Sequence, residues 1–217
     1  MYRYKVRMAV LTKSAKNGGY CVAGINMRNG KWERIVTDDE ESHGAAFDSD
    51  LMSKDGRPVS ELDIIDVPIV NFLKDDIQPE NILLSKDEPI EIIGKTTLEE
   101  VLKIHPVSTR KTIFGNYYQF LLPEEINKIN HSLDLIEVSD FGVYRTENSS
   151  GKLKTKAEFV YNNRKYWNMS ITDLCALENY EEYAEIDKAI LVMSYGSEYN
   201  GRYYKYIAAI YPCKNEN

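Results

Sequence analysis

The sequence predicts a mainly β protein with a few short helices, arranged as two small β-barrels in tandem. Three observations carry that expectation. Apolar residues alternate with polar or small ones over 4–13, 20–27 and 31–37, the period of half-buried strands. Asn29-Gly30 separates the second and third runs, and both residues accept the positive φ of a tight hairpin. The second half then repeats the style of the first, a few strands and one helix without β-α-β alternation, which suits small barrels rather than a doubly wound sheet.

Residues 38–60 read as a long polar loop, with Asp38-Asp39-Glu40-Glu41 and the turn-forming Gly56-Arg57-Pro58. A strand follows at 62–69, then the turn Gln78-Pro79-Glu80-Asn81 and a strand near 90–93. Thr96-Thr97 with Glu99-Glu100 caps a short helix through about Ile104. His105-Pro106, Gly115 and Pro123 interrupt periodicity, so the boundary falls between about 105 and 132, and the expected domains are 1–110 and 111–217. Beyond a short helix at 123–130, strands are expected at 133–146, 154–161 and 164–169, with turns at Glu147–Gly151 and Asn162-Asn163. A helix over 172–186 precedes strands at 188–195 and 202–211, joined by a Gly196–Gly201 turn.

Composition limits the function. Charged residues make up 28% and hydrophobic residues 43%, the balance of a folded chain. No apolar run reaches the roughly 20 residues that span a bilayer, and the opening MYRYKVRMAVLTKS lacks the apolar centre of a cleavable signal. Cys21, Cys175 and Cys213 are odd in number and scattered, which argues for a reducing, cytoplasmic setting and against a zinc knuckle. The net charge of −7 disfavours indiscriminate adhesion to phosphate backbones. Its distribution is uneven, because residues 1–37 carry eight basic groups and one acid, whereas 38–105 carry six basic groups and eighteen acids. Localised anion recognition follows better than general adhesion.

Leu11-Thr-Lys-Ser-Ala-Lys-Asn-Gly-Gly-Tyr-Cys-Val-Ala-Gly24, Trp32-Glu-Arg34, Leu62-Asp-Ile-Ile-Asp-Val-Pro68 and Gln78-Pro-Glu-Asn81 occur in an order that resembles bacterial dual-OB domain proteins. The closing Tyr203-Tyr-Lys-Tyr-Ile-Ala-Ala-Ile210 extends the likeness over nearly the whole chain. The resemblance implies two oligonucleotide/oligosaccharide-binding folds and a nucleic-acid-binding role in bacterial defence or genome maintenance. It implies no catalytic residues.

Two stretches could hold an anion. Lys13, Ser14, Lys16, Gly18 and Gly19 join the first two strands, where glycine lets backbone N–H groups approach a phosphate and lysine neutralises it. Lacking GxxxxGK[ST] between strand and helix, this is not a P-loop, and a solvated hairpin connection explains the same residues. Arg34 shares a strand face with Trp32; tryptophan belongs to the core by base rate, which leaves Arg34 the better ligand candidate. Over 144–167, Arg145, Lys152, Lys154, Lys156, Arg164 and Lys165 are interleaved with Tyr144, Phe159, Tyr161, Tyr166 and Trp167, the pattern by which sheets hold single strands, although inward aromatics with solvated lysines account for it too; Arg145, Lys154, Lys156, Tyr161, Arg164 and Tyr166 are the candidates singled out.

Catalytic material is sparse. His43 among Asp38, Asp39, Glu40, Glu41 and Asp48 could ligate a divalent cation, but an acidic run in a polar loop is usually solvated. His105 and His131 have no nucleophile beside them in sequence, and neither cofactor nor metal is expected. The reading is a non-catalytic binding module for nucleic acid, DNA or RNA, or a nucleotide-like anion. The alternatives are a protein-interaction subunit and, behind it, a metal-dependent nuclease or nucleotide-processing enzyme.

Overall fold

The computed structural model describes residues 4–147 and 151–213. The chain forms two compact units, Met1–Pro106 and Val107–Asn217. The turn expected at 147–151 includes residues 148–150, which lie outside the described residues.

The first unit contains β1 (Tyr4–Lys16), β2 (Gly19–Asn26), β3 (Trp32–Val36), β4 (Asp63–Phe72), β5 (Asn81–Leu84), β6 (Glu91–Lys95) and α1 (Leu98–Ile104). Neighbours run β1-β2-β3-β5-β4, and β4 pairs back onto β1 to close a five-stranded barrel with β6 added at β4. All pairings are antiparallel except β3 with β5. This connectivity is the OB fold. The alternation of β1 and β4 sends Val6, Met8, Val10, Ile65, Val67 and Ile69 inward, where they meet Val22, Ile35 and Ile82 in one apolar core. Asn81–Leu84 was expected only as the end of a turn. A four-residue apolar strand flanked by β3 and β4 carries no alternation by which to recognise it. The capping box of Thr97 and Glu100 starts α1 as expected.

The second unit contains β7 (Phe120–Leu121), α2 (Pro123–Ile126), β8 (Leu133–Glu147), β9 (Leu153–Tyr161), β10 (Arg164–Ile171), α3 (Leu174–Glu178), β11 (Ile186–Tyr199) and β12 (Arg202–Pro212). The order β8-β9-β10-β12-β11 closes through β8–β11 with β10 parallel to β12, repeating the first barrel's connectivity. Phe141, Phe159 and Tyr166 stack inside it, with centroids 6.3 and 5.4 Å apart. The helix expected over 172–186 is shorter: Asp173 caps α3, Asn179 ends it, and a 3-10 turn leads to β11. The hairpin expected at Gly196–Gly201 tightens to Asn200-Gly201, because a register shift between Tyr195 and Glu198 carries β11 past Gly196.

Candidate nucleic-acid interface

The first barrel engages its sequence-nominated residues internally. Lys16 pairs with Gly19 across β1 and β2, so the expected loop is a two-residue turn at Asn17-Gly18, both with positive φ. Gly19 serves a close approach: a Cβ there would stand 2.6 Å from Ala46 O, where Tyr20 and Ala46 exchange backbone hydrogen bonds of 2.8 and 3.0 Å. Ser14 is buried. Lys13 Nζ sits 4.4 Å from the Tyr20 ring centroid and 3.9 Å from Asp48. Burial pushes the Lys16 ammonium pKa down, and nearby Arg34 pushes the same way. Arg34 is only 1% exposed and donates to Asn81 Oδ1 at 3.2 Å, while Trp32 is buried beside His105. The acids of the 38–50 loop are held separately, Asp38 by Lys86 at 2.6 Å and Asp48 by Tyr20 and Lys13. Among the described residues no three His, Cys, Asp or Glu side chains are placed to share a metal.

The second barrel arranges its basic stretch differently. Ala157, Phe159 and Tyr161 point inward on β9, as does Tyr166 on β10, so Tyr161 and Tyr166 are core residues. Their strand neighbours therefore face out. Across the strands, Tyr144 lies opposite Lys156, Lys156 opposite Ser170, and Lys165 opposite Val160, which collects Tyr144, Lys154, Lys156, Lys165 and Trp167 on one outer face. Trp167 is 61% exposed. The shift between Tyr166 and Met169, with Asn168 at φ 56°, lifts the strand at that point. Lys156 Nζ donates to Ser170 Oγ at 2.8 Å and to Asn168 O at 3.4 Å; burial lowers its pKa, with Lys154 adding like-charge repulsion. Burial raises the Tyr144 phenol, which also meets the Asn168 backbone. Glu158 partly offsets the charge by pairing with Lys165 at 3.0 Å.

Arg145 and Arg164 sit apart from this cluster, each on an aromatic ring: Arg145 4.1 Å from Tyr180, and Arg164 3.7 Å from Tyr117. Trp167, Tyr144 and Lys165 belong to the basic-aromatic stretch read from the sequence but were not singled out as binding residues. Strand alternation would have singled them out once Phe159 and Tyr166 were recognised as core.

The family model for a dual OB-containing domain matches residues 6–210. The chain belongs to this family. No curated protein matches it. Both halves of this dual OB-containing chain are closed barrels, but they differ in what they present: a tightly engaged hairpin on the first, and an open face with an exposed tryptophan among lysines on the second. No helix among the described residues is long and apolar enough to cross a membrane.

Proposed function

We propose that this chain is a non-catalytic module that binds single-stranded nucleic acid, DNA or RNA, on the outer face of β8, β9 and β10. The observation that carries the reading is Trp167, exposed on that face next to Lys165 and to Asn168, whose backbone Tyr144 meets, with Lys156 and then Lys154 further along β9. An exposed indole offers a stacking surface to any unpaired base, and lysines alongside neutralise the backbone. Duplex fits less well, since its bases are already stacked and the net charge of −7 opposes adhesion to phosphate alone. Free nucleotides would occupy the same face more weakly. The free cysteines suit a cytoplasmic setting, and the family resemblance supports a role in bacterial defence or genome maintenance.

Titration with labelled single strands and duplexes of DNA and RNA, repeated at several salt concentrations, tests the proposal. Single strands should bind more tightly than duplex. Absence of binding at low salt would refute it.

A second reading draws on the first barrel, where Val70 and Phe72 at the end of β4 are exposed apolar side chains, as a protein-docking surface provides. Phe72→Ser should then release a partner while leaving nucleic-acid binding unchanged.

A further inference from the structure

The outer face of β10 does not end at its bulge. Ser170 and Ile171 pair with Tyr206 and Ile207 of β12, and β7 pairs with the same strand at Tyr203 and Tyr204. Thus β7 takes the place along β12 that β10 leaves as it bulges, and Gln119 Nε2 donates to Trp167 O at 3.0 Å across the junction. Side-chain alternation gives the outward positions. Ser170, opposite Lys156, faces out with Tyr206, and so do Tyr204 and its partner Phe120.

The rings on this continuation are close to one another, with Tyr118 and Tyr199 exposed and Phe120 and Tyr204 half-buried. Tyr118, 65% exposed, stacks over Phe120 at 6.1 Å and 18°, and Phe120 meets Tyr204 at 6.1 Å. Tyr199, 66% exposed, lies 6.5 Å from Tyr204. The Arg202 guanidinium rests 4.2 Å from the Phe120 centroid, an arrangement that orders the charge while leaving its edge available to a phosphate.

We infer that Tyr118, Phe120, Tyr199, Arg202 and Tyr204 form a second stacking ledge that receives further nucleotides of a strand already seated at Trp167. The inference rests on the proposed nucleic-acid reading and extends it from one anchoring point to a path. Ring faces accept any base, and the ledge has one cation per several rings. Its contribution is therefore mainly stacking, with little sequence preference and a small salt dependence.

The test compares oligothymidylates of about 5 and about 15 nucleotides, near the two ends of the range of site sizes of one OB fold. Wild type, Trp167→Ala and Tyr118→Ala/Tyr199→Ala are titrated by fluorescence anisotropy, with circular dichroism to verify folding. Arg202→Lys is added to keep the charge while changing its shape. Trp167→Ala should weaken both lengths. The double substitution should weaken the longer oligomer about tenfold and leave the shorter one within about twofold. If the wild type binds both lengths, Trp167→Ala weakens them and the double variant weakens neither, the ledge is refuted and serves another partner such as a protein, while the Trp167 face stands. An equal loss at both lengths also refutes a separate ledge. If the wild type binds neither oligomer, the reading of the face and the ledge fall together.

Discussion

Lys205 Nζ donates to Asn116 Oδ1 at 2.7 Å from a position with no exposed surface. Its remaining protons reach Ile113 O at 2.6 Å and Asn116 O at 3.1 Å, and the Asn116 amide in turn donates to both oxygens of Glu125 at 2.9 Å. Lys205→Met would take this donor from Ile113 O and Asn116 O and leave Asn116 Oδ1 only Tyr118 N at 2.9 Å, so it should cost about 2–3 kcal/mol in denaturant unfolding.

The same lysine predicts a pH dependence. Burial lowers its pKa from 10.5 to about 7, against a smaller opposing effect of Glu125. Between those values the unfolded chain binds the proton and the folded chain releases it. Stability contributed through this group therefore rises with pH from about 7 towards 10.5 and is lowest below 7. Melting curves recorded from pH 6 to 10 should show that rise in the wild type and a flatter profile in Lys205→Met.

Tyr166 and Trp167 are adjacent in sequence and should respond oppositely. Trp167→Ala should weaken single-strand binding by about 1–3 kcal/mol while the melting temperature barely changes. Tyr166→Ala removes a 1% exposed ring that stacks on Phe159, and should cost about 3–5 kcal/mol of stability. Paired binding and melting measurements distinguish the two.

Salt dependence should separate the barrels. Lys154→Ala and Lys165→Ala should each reduce the slope of log affinity against log salt by about 1, whereas Lys13→Ala should leave it unchanged.

Asp63, fully buried, accepts from Arg57 Nη1 at 3.1 and 3.2 Å, from Ser60 N at 2.9 Å, and pairs with Lys95 at 3.3 Å. It ties the 38–62 loop to the start of β4. Asp63→Ala should destabilise the chain by about 3 kcal/mol, more than Arg57→Ala, whose side chain reaches solvent. Chemical denaturation of both variants provides the comparison.

The features readable in sequence were those set by neighbours along the chain. Gly30 and Asn162-Asn163 make the expected hairpins because positive φ is a local property, and both are followed by the expected strands. Arg34 was not readable as a buried residue, since strand alternation gives its face but not whether that face is covered. Lys205 was equally opaque: its acceptors at Asn116 lie 89 positions upstream, and a lysine between tyrosines looks like a surface group. On β10 the residue singled out in sequence, Tyr166, is buried and its neighbour Trp167 is exposed, for a related reason. Both Tyr166 and Trp167 are aromatic, and composition alone cannot say which of two alternating neighbours faces the core.

The strand β7 sets where the second barrel begins as an independent object. Ser108 N donates to Leu135 O at 2.6 Å, the Tyr161 hydroxyl donates to Arg110 O at 2.6 Å, and Arg110 Nη1 reaches Asp134 at 3.2 Å, so residues 108–121 are fastened to the barrel along their course. A fragment cut at β8 would retain the five barrel strands yet lose the acceptors of Lys205 and two rings of the ledge. The second barrel with all of its fastenings therefore starts near residue 107, and what looks like connecting peptide belongs to the domain that follows it.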